Sequence, residues 1–363
     1  MKKENSDLTK LRNSLDKIDK QIISLLHKRV EIVQKVKKLK QSKNISIYHA
    51  EREKIIIDNL LKLNQHKFPD ESLVAIYSEI FSVSRKIQDD IKIGFLGPEA
   101  TYTHLAAQKT FGAQASYVPL YSIRDIFVEL DSGHIDYGVV PIENSTEGVV
   151  GYTLDLLTDF NLFILNEIYL EISHNIVSKE KSLKNIKILY SHSQAIGQCR
   201  TFIENNLRNV KIIETSSTAE AAKRVLKKRH SAAIASKLAA QLYKLNILAE
   251  KINDNLNNYT RFLILGKIPN QMKQKLKYKT SLICGIKDKP GALFELLEPF
   301  RRFKINMSKI ESRPTKKKAW EYMFFIDFIG KLTDKNVQKA LKIIDDKTTY
   351  LKILGSYPAA KQV

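Results

Sequence analysis

Apolar residues recur along the first forty positions at alternating steps of three and four: Leu8, Leu11, Leu15, Ile18, Ile22, Leu25, then Ile32, Val36 and Leu39. That spacing predicts one long helix with a continuous seam for a partner helix. Position 29 falls on the seam and is arginine. By itself the segment reads as a coiled-coil face whose one arginine reaches water along its stem. The competing reading is a guanidinium that needs an anion, because an unpaired buried charge costs several kcal/mol. Lys40 lies about 20° off the same face and ~16 Å further along the axis, so two long cationic side chains can converge on one anion. Arg12 lies ~25 Å away in the other direction and about 100° around the helix. It can reach the same small ligand only from a second copy of the chain packed antiparallel.

A second helical stretch opens with Glu51, Arg52 and Glu53. A third runs from about 70 to 88, with Leu73, Tyr77, Ile80, Ser84 and Ile87 as its inner stripe and Ser84 and Gln88 as polar neighbours at i, i+4. From residue 91 the pattern changes to short strands interleaved with helices: 91–96, 116–120 and 136–141, then 186–190, 210–214 and 232–235. Two α/β lobes facing each other across a cleft fit this better than one sheet. Turns in such lobes present backbone N–H groups and hydroxyls to anions. Five junctions are polar: GPEATYTH (97–104), PIENSTEG (141–148), SHSQAIGQC (191–199), TSSTAEAA (215–222) and NYTRF (258–262). Several have an ordinary structural account. Ser217 with Glu220 is a capping box, Gly97-Pro98 a turn, and Asn144-Ser145 a helix cap. From about Tyr278 the order is strand (280–286), helix (291–303), strands (305–312 and 322–329), helix (337–344) and strand (351–355), a ferredoxin-like α+β unit.

The length of 363 residues predicts two or three domains. No apolar run approaches the ~18 residues of a membrane span, and the first residues lack a signal-peptide pattern. Cys199 and Cys284 are far apart, and no His/Cys group has metal-ligand spacing, so a reduced cytoplasmic setting and no metal are expected. The net charge of +21 raises nucleic acid as a partner. The basic residues are spread along the chain, however, and the longest run, Lys316-Lys317-Lys318, reads as a solvated loop. The expectation is no nucleic-acid partner, with the charge steering anionic substrates instead.

Arg12, Arg29, Lys40, Arg52, Glu53, Ser84 and Gln88 together resemble the binding set of an α-helical chorismate mutase domain. His49, where some relatives carry an acidic residue, departs from it at a position the family fills with backbone. The polar junctions, in this order, resemble prephenate dehydratase, PIENSTEG and NYTRF most specifically. The departure there is Ala100, where relatives often carry glycine; a small residue preserves the turn if φ is negative. GALFELL (291–297) and ESRP (311–314) resemble the ACT domain of these dehydratases, which binds phenylalanine. Nearly the whole chain thus resembles the bifunctional family in which mutase (1–90), dehydratase (91–270) and ACT (278–363) segments follow one another.

The resemblance implies an all-α mutase domain, a two-lobed α/β dehydratase domain of periplasmic-binding-protein type and an α+β ACT domain. It implies rearrangement of chorismate to prephenate, then loss of CO₂ and water to give phenylpyruvate, without a cofactor, in at least a homodimer regulated by phenylalanine. Arg29 and Arg12 of the partner subunit would clamp the two carboxylates of chorismate. Lys40 and Gln88 would face its ether oxygen, and Glu53 its ring hydroxyl. Thr260 would assist departure of the prephenate hydroxyl, with Arg261 a carboxylate partner. Thr101, Thr103 and His104 would bind substrate, and Glu143, Asn144 and Ser145 would line the wall opposite Thr260. Gly291, Ala292 and Leu293 with Glu311, Ser312, Arg313 and Pro314 would hold the effector, its carboxylate at the helix start where Gly291 admits close approach. Trp320, the only tryptophan, would lie nearby. A non-catalytic sensor would have no use for both the mutase set and Thr260, and a nucleic-acid regulator is suggested only by charge.

Overall fold

The computed structural model describes residues 2–42, 46–255, 257–273, 275–287, 289–314 and 322–360, so Trp320 and the 316–318 lysine run lie outside the described residues. Three helices come first: α1 (Lys2–Ser42), α2 (Ala50–Asn64) and α3 (Asp70–Gln88). Helix α1 touches α3 near Arg29, but the apolar residues of its seam stay largely uncovered among the described residues. Leu11, Leu15, Leu25 and Ile32 are 65, 60, 64 and 60% exposed.

Lobe 1 follows: β1 (Lys92–Leu96), α4 (Tyr102–Phe111), β2 (Ser116–Leu120), α5 (Ile123–Ser132), β3 (Tyr137–Asn144), β4 (Gly148–Val149), α6 (Gly151–Asp159) and β5 (Phe163–Glu171). The chain crosses into lobe 2: β6 (Asn175–Ser178), β7 (Ile188–Ser191), α7 (Ser193–Gln198), α8 (Arg200–Asn206), β8 (Lys211–Glu214), α9 (Thr218–Val225), β9 (Ser231–Ala235), α10 (Lys237–Leu242) and β10 (Asn246–Ala249). It returns as β11 (Tyr259–Gly266), which slots between β3 and β5. The sheets run β2-β1-β3-β11-β5 and β10-β6-β9-β7-β8. Two of the expected junctions are therefore strand ends: PIEN closes β3, and YTRF opens β11 beside it in antiparallel register. Two crossings between lobes place the cleft where these ends meet.

The last unit is β12 (Tyr278–Gly285), α11 (Ala292–Arg302), β13 (Met307–Pro314), β14 (Tyr322–Ile329), α12 (Lys335–Lys347) and β15 (Tyr350–Pro358), with sheet order β13-β14-β12-β15. β13 starts two residues later than its apolar pattern predicts. Ile305 donates its backbone N–H to Phe300 O at 2.8 Å and Lys304 has φ 55°, so these residues close α11.

These units share cores. Ile283, Phe325, Leu354 and Tyr357 of the last sheet pack with Ile142, Leu154 and Leu263 of lobe 1. A Cβ on Gly355 would lie 2.3 Å from Ile164 O, so only glycine lets β15 come this close to β5. On the other side, Tyr48, from the connection between α1 and α2, packs against Phe111 and Tyr137 with ring centroids 4.8 and 5.5 Å apart, and its hydroxyl accepts from Asn166 Nδ2 at 2.8 Å. Helix α3 serves two neighbours, which rotates its buried face from the expected stripe to Phe81, Ser82, Ser84, Arg85 and Gln88. Ser82 accepts the backbone N–H of Gln114, and a Cβ on Gly112 (φ 71°) would lie 2.5 Å from Ser82 Cβ. Among the described residues no helix is long and apolar enough to cross a membrane.

Candidate active sites

The first site lies where α1, α2 and α3 meet. The Arg29 guanidinium donates to the Ser84 hydroxyl, which in turn donates to Ile80 O. Lys40 Nζ donates to Ile47 O at 2.8 Å, so backbone fills the place beside His49. Gln88 Nε2 donates to Ser84 O at 3.1 Å, while its Oε1 is buried with no hydrogen-bond partner among the described residues. Glu53 accepts from Arg85. Burial brings the Lys40 ammonium down to about 8. Burial and the Lys40 charge bring His49 down to about 4, leaving its ring neutral at neutral pH. Burial raises the Glu53 carboxyl above its usual range, against the pull of Arg85, Lys40 and Arg29. Five expected residues thus converge: Arg29, Lys40, Glu53, Ser84 and Gln88. Arg12 and Arg52 do not join them within the protomer, since both are exposed on their helices. Arg85 was not among the expected residues. Its only trace in the sequence is a charge four positions after Phe81, on what becomes the buried face of α3.

The second site is a cleft of about 300 Å³ between the lobes. Thr260, at the head of β11, pairs in register with Asn144 at the end of β3. Asn144 Nδ2 lies 2.8 Å from both Thr260 Oγ1 and Asn258 Oδ1, and Asn144 Oδ1 accepts the backbone N–H groups of Thr146 and Glu147 at 2.9 and 3.0 Å. Because the amide donates to Oγ1, the proton of the Thr260 hydroxyl is left for another acceptor. Asn144 therefore stands beside Thr260 rather than on the opposite wall. That wall comes from the other two junctions: His192, Gln194 and Gln198 from the start and end of α7, and Ser216, Ser217 and Thr218 at the start of α9. His174, in the crossing from β5 to β6, also lines the cleft, and no motif marked it. Gln198 Oε1 accepts from His174 Nε2 (3.1 Å) and Asn258 Nδ2 (2.9 Å), and its Nε2 reaches Glu147 (3.1 Å), tying lobe 2 to both crossing strands. Thr101 lines the cleft and caps α4, donating to Leu96 O.

Five expected substrate contacts lie elsewhere. Thr103 is buried and is not part of the cleft lining. His104 stacks on Phe95 at 4.4 Å, and its Nδ1 accepts the Ala100 N–H at 3.0 Å. It is a turn holder. Ala100 has φ 69°, left-handed rather than negative, and its carbonyl accepts from Ser236 of lobe 2 at 3.1 Å. The alanine keeps the turn at a cost of about 1–2 kcal/mol, offset by these two hydrogen bonds. Ser145 uses its hydroxyl on Asn257 O and the Tyr259 N–H. Glu143 and Arg261 point to the other side of the sheet, since neighbours along a strand face opposite ways. Glu143 pairs with Lys309 at 2.8 Å. Arg261 is 3% exposed and holds Asp327 (2.6 Å), Glu167 (2.8 Å) and the Tyr357 hydroxyl (3.0 Å).

In the last unit, Gly291 (φ 81°) precedes α11, with Ala292 buried and Leu293 exposed. On β13, Lys309 and Arg313 reach toward lobe 1, Arg313 pairing with Asp155 at 3.2 Å. Alternation puts Glu311 on that same face, while Ser312 and Pro314 are exposed on the other. Among the described residues, Arg313 and Pro314 line a cavity shared with lobe 1 whose lining does not include Gly291, Ala292 or Leu293.

Family models described as chorismate mutase type II, prephenate dehydratase and ACT domain match residues 11–89, 93–270 and 280–346. A bifunctional chorismate mutase/prephenate dehydratase of Aquifex aeolicus is 44% identical over 98% of both chains. One from Pseudomonas aeruginosa is 37% identical over 98% of this chain and 99% of its own. The structure of a prephenate dehydratase from Arthrobacter aurescens in complex with L-Phe superposes with a TM-score of 0.69 at 33% identity, covering 74% of this chain and 90% of that one. With the domains in this order and both sets of polar residues in place, the chain belongs to the family of bifunctional chorismate mutase/prephenate dehydratases, isomerase and lyase on one polypeptide with an ACT domain.

Proposed function

We propose that chorismate is rearranged at the Arg29 cluster and prephenate dehydrated in the cleft, with Thr260 as the hydrogen-bond donor to the departing hydroxyl. The observation that carries the second assignment is the polarity of one contact: Asn144 occupies the acceptor side of Oγ1, leaving its proton free. Aromatisation drives the elimination, so orientation and a placed donor suffice, and no general base is required of Thr260. In the mutase site Arg29 holds one carboxylate and Arg12 of the partner subunit the other. Lys40 and Gln88 stabilise charge on the ether oxygen, and the Glu53 carboxylate takes the ring hydroxyl. L-Phenylalanine regulates the dehydratase through the ACT domain, a reading supported by the shared core of its sheet with lobe 1. The purified chain, given chorismate, should form prephenate and then phenylpyruvate, and added phenylalanine should slow the second step much more than tyrosine does. Absence of phenylpyruvate would end the bifunctional assignment, and a rate indifferent to millimolar phenylalanine would end the regulatory one.

A further inference from the structure

Arg85 carries the largest unexplained interaction in the mutase half. Its side chain is 4% exposed, and its guanidinium donates through Nη1 to Glu53 and through Nη2 to Phe111 O at 2.8 Å. The guanidinium carbon lies 5.8 Å from the ring centroids of both Tyr48 and Phe111. Phe111 is the last residue of α4, so its carbonyl is one of the acceptors a helix leaves unmatched at its negative end. One planar fork thus spans two acceptors in two domains, with a fixed geometry that an ammonium lacks.

We infer that Arg85 is a positioning residue of the mutase reaction: anchored on the dehydratase lobe, it holds the Glu53 carboxylate toward the site as an acceptor. The inference rests on the reading of Glu53 as partner of the ring hydroxyl. A protonated Glu53 presents a donor on one oxygen, and burial favours that form. The groups that face Glu53 are Arg29 and Lys40 from α1, Tyr48 from the connection and Arg85 from α3. His49, which caps α2 one turn before Glu53, is neutral at neutral pH. Lys40 and Arg29 bond to Ile47 O and Ser84, leaving Arg85, among the described residues, as the cation in hydrogen-bond contact with the carboxylate. The second contact extends the consequence. The same α4 begins at Thr101 in the dehydratase cleft, so the helix that steadies Arg85 has its other end in the second site.

The test is mutase kcat/KM against pH for full-length wild type, R85Q, R85K, E53Q and E53Q/R85Q. R85Q should lower the rate at neutral pH at least about tenfold and move the acid limb upward by about 1 to 3 pH units, the usual effect of removing an adjacent opposite charge. R85K should bring back part of that shift. In the E53Q background R85Q should cost less than about twofold, since its target is gone. An unmoved acid limb in R85Q, or losses that multiply in the double variant, overturns the inference while leaving Glu53 its role. An undiminished rate in E53Q overturns that role and the inference with it. If R85Q fails to fold, R85K and the double variant, which leaves no buried charge unpaired, give the same decision.

Discussion

At residue 260 the chemistry turns on which side of a hydroxyl is already occupied. Thr260 Oγ1 receives the Asn144 amide and is left as a donor. Replacing it with alanine should cost about 10²–10³-fold in dehydratase rate, as loss of a placed donor does, and prephenate should accumulate from chorismate. The polarity is testable separately. N144D puts an acceptor where the amide donates, so the Thr260 proton turns toward the carboxylate; kcat should fall much more than KM rises, and a normal kcat would refute the assignment. In the mutase site burial lowers the Lys40 ammonium to about 8. In the proposed role its charged form stabilises the ether oxygen, so mutase kcat/KM should fall as pH rises through about 8. K40R should push that limb out of range, because a guanidinium keeps its proton there. A flat profile between pH 7 and 9 in wild type would show that this ammonium is not used. The identities of Thr260 and Lys40 were legible in the sequence. Which atom of each is free depends on partners more than a hundred residues away for the one and on a neighbouring carbonyl for the other.

Strand β11 shows where a motif stops being informative. NYTRF places Thr260 and Arg261 side by side, yet a strand sends neighbours to opposite faces, and only one can look into the cleft. The alternation was available from the sequence once residues 258–262 were read as strand rather than junction. The partners of Arg261 were not, since Glu167 and Asp327 lie on β5 and β14 with no local signal linking them. The same holds for α3, whose apolar stripe described packing against one neighbour while the fold supplied two. Lys279 joins the ion cluster at 2.7 Å from Glu167, and Ser281 bonds to Asp327. Removing the arginine leaves two carboxylates short of their principal cation, a change that typically costs about 3–5 kcal/mol. R261L should therefore lower the unfolding midpoint strongly. If instead stability is retained and only KM for prephenate rises, Arg261 contacts substrate and its placement here is wrong.

The three segments were separable in the sequence by their periodicities, but the chain does not keep their cores apart. Tyr48 packs into lobe 1, and the ACT sheet completes the far side of the same lobe. What the protomer leaves unfinished is α1. Its seam residues from Leu8 to Leu39 range from 37 to 65% exposed, a continuous apolar stripe far longer than monomeric proteins leave to water. Arg12 rides on the same helix, too distant from Arg29 to share its ligand except across an antiparallel pair, in which residue i of one copy meets residue j of the other. Such a pairing would make each mutase site a joint product of two chains. Full-length R12A and R29A proteins should each lack mutase activity. Mixed in equal amounts and allowed to exchange, half the dimers become mixed, and each of those holds one site with both arginines and one with neither. Activity should then rise to about a quarter of wild type, with dehydratase activity on added prephenate serving as the reference for folded protein. If mass measurements show mixed dimers and the mutase rate stays at the level of the parents, the two arginines do not share a site, and the exposed seam of α1 serves some other contact.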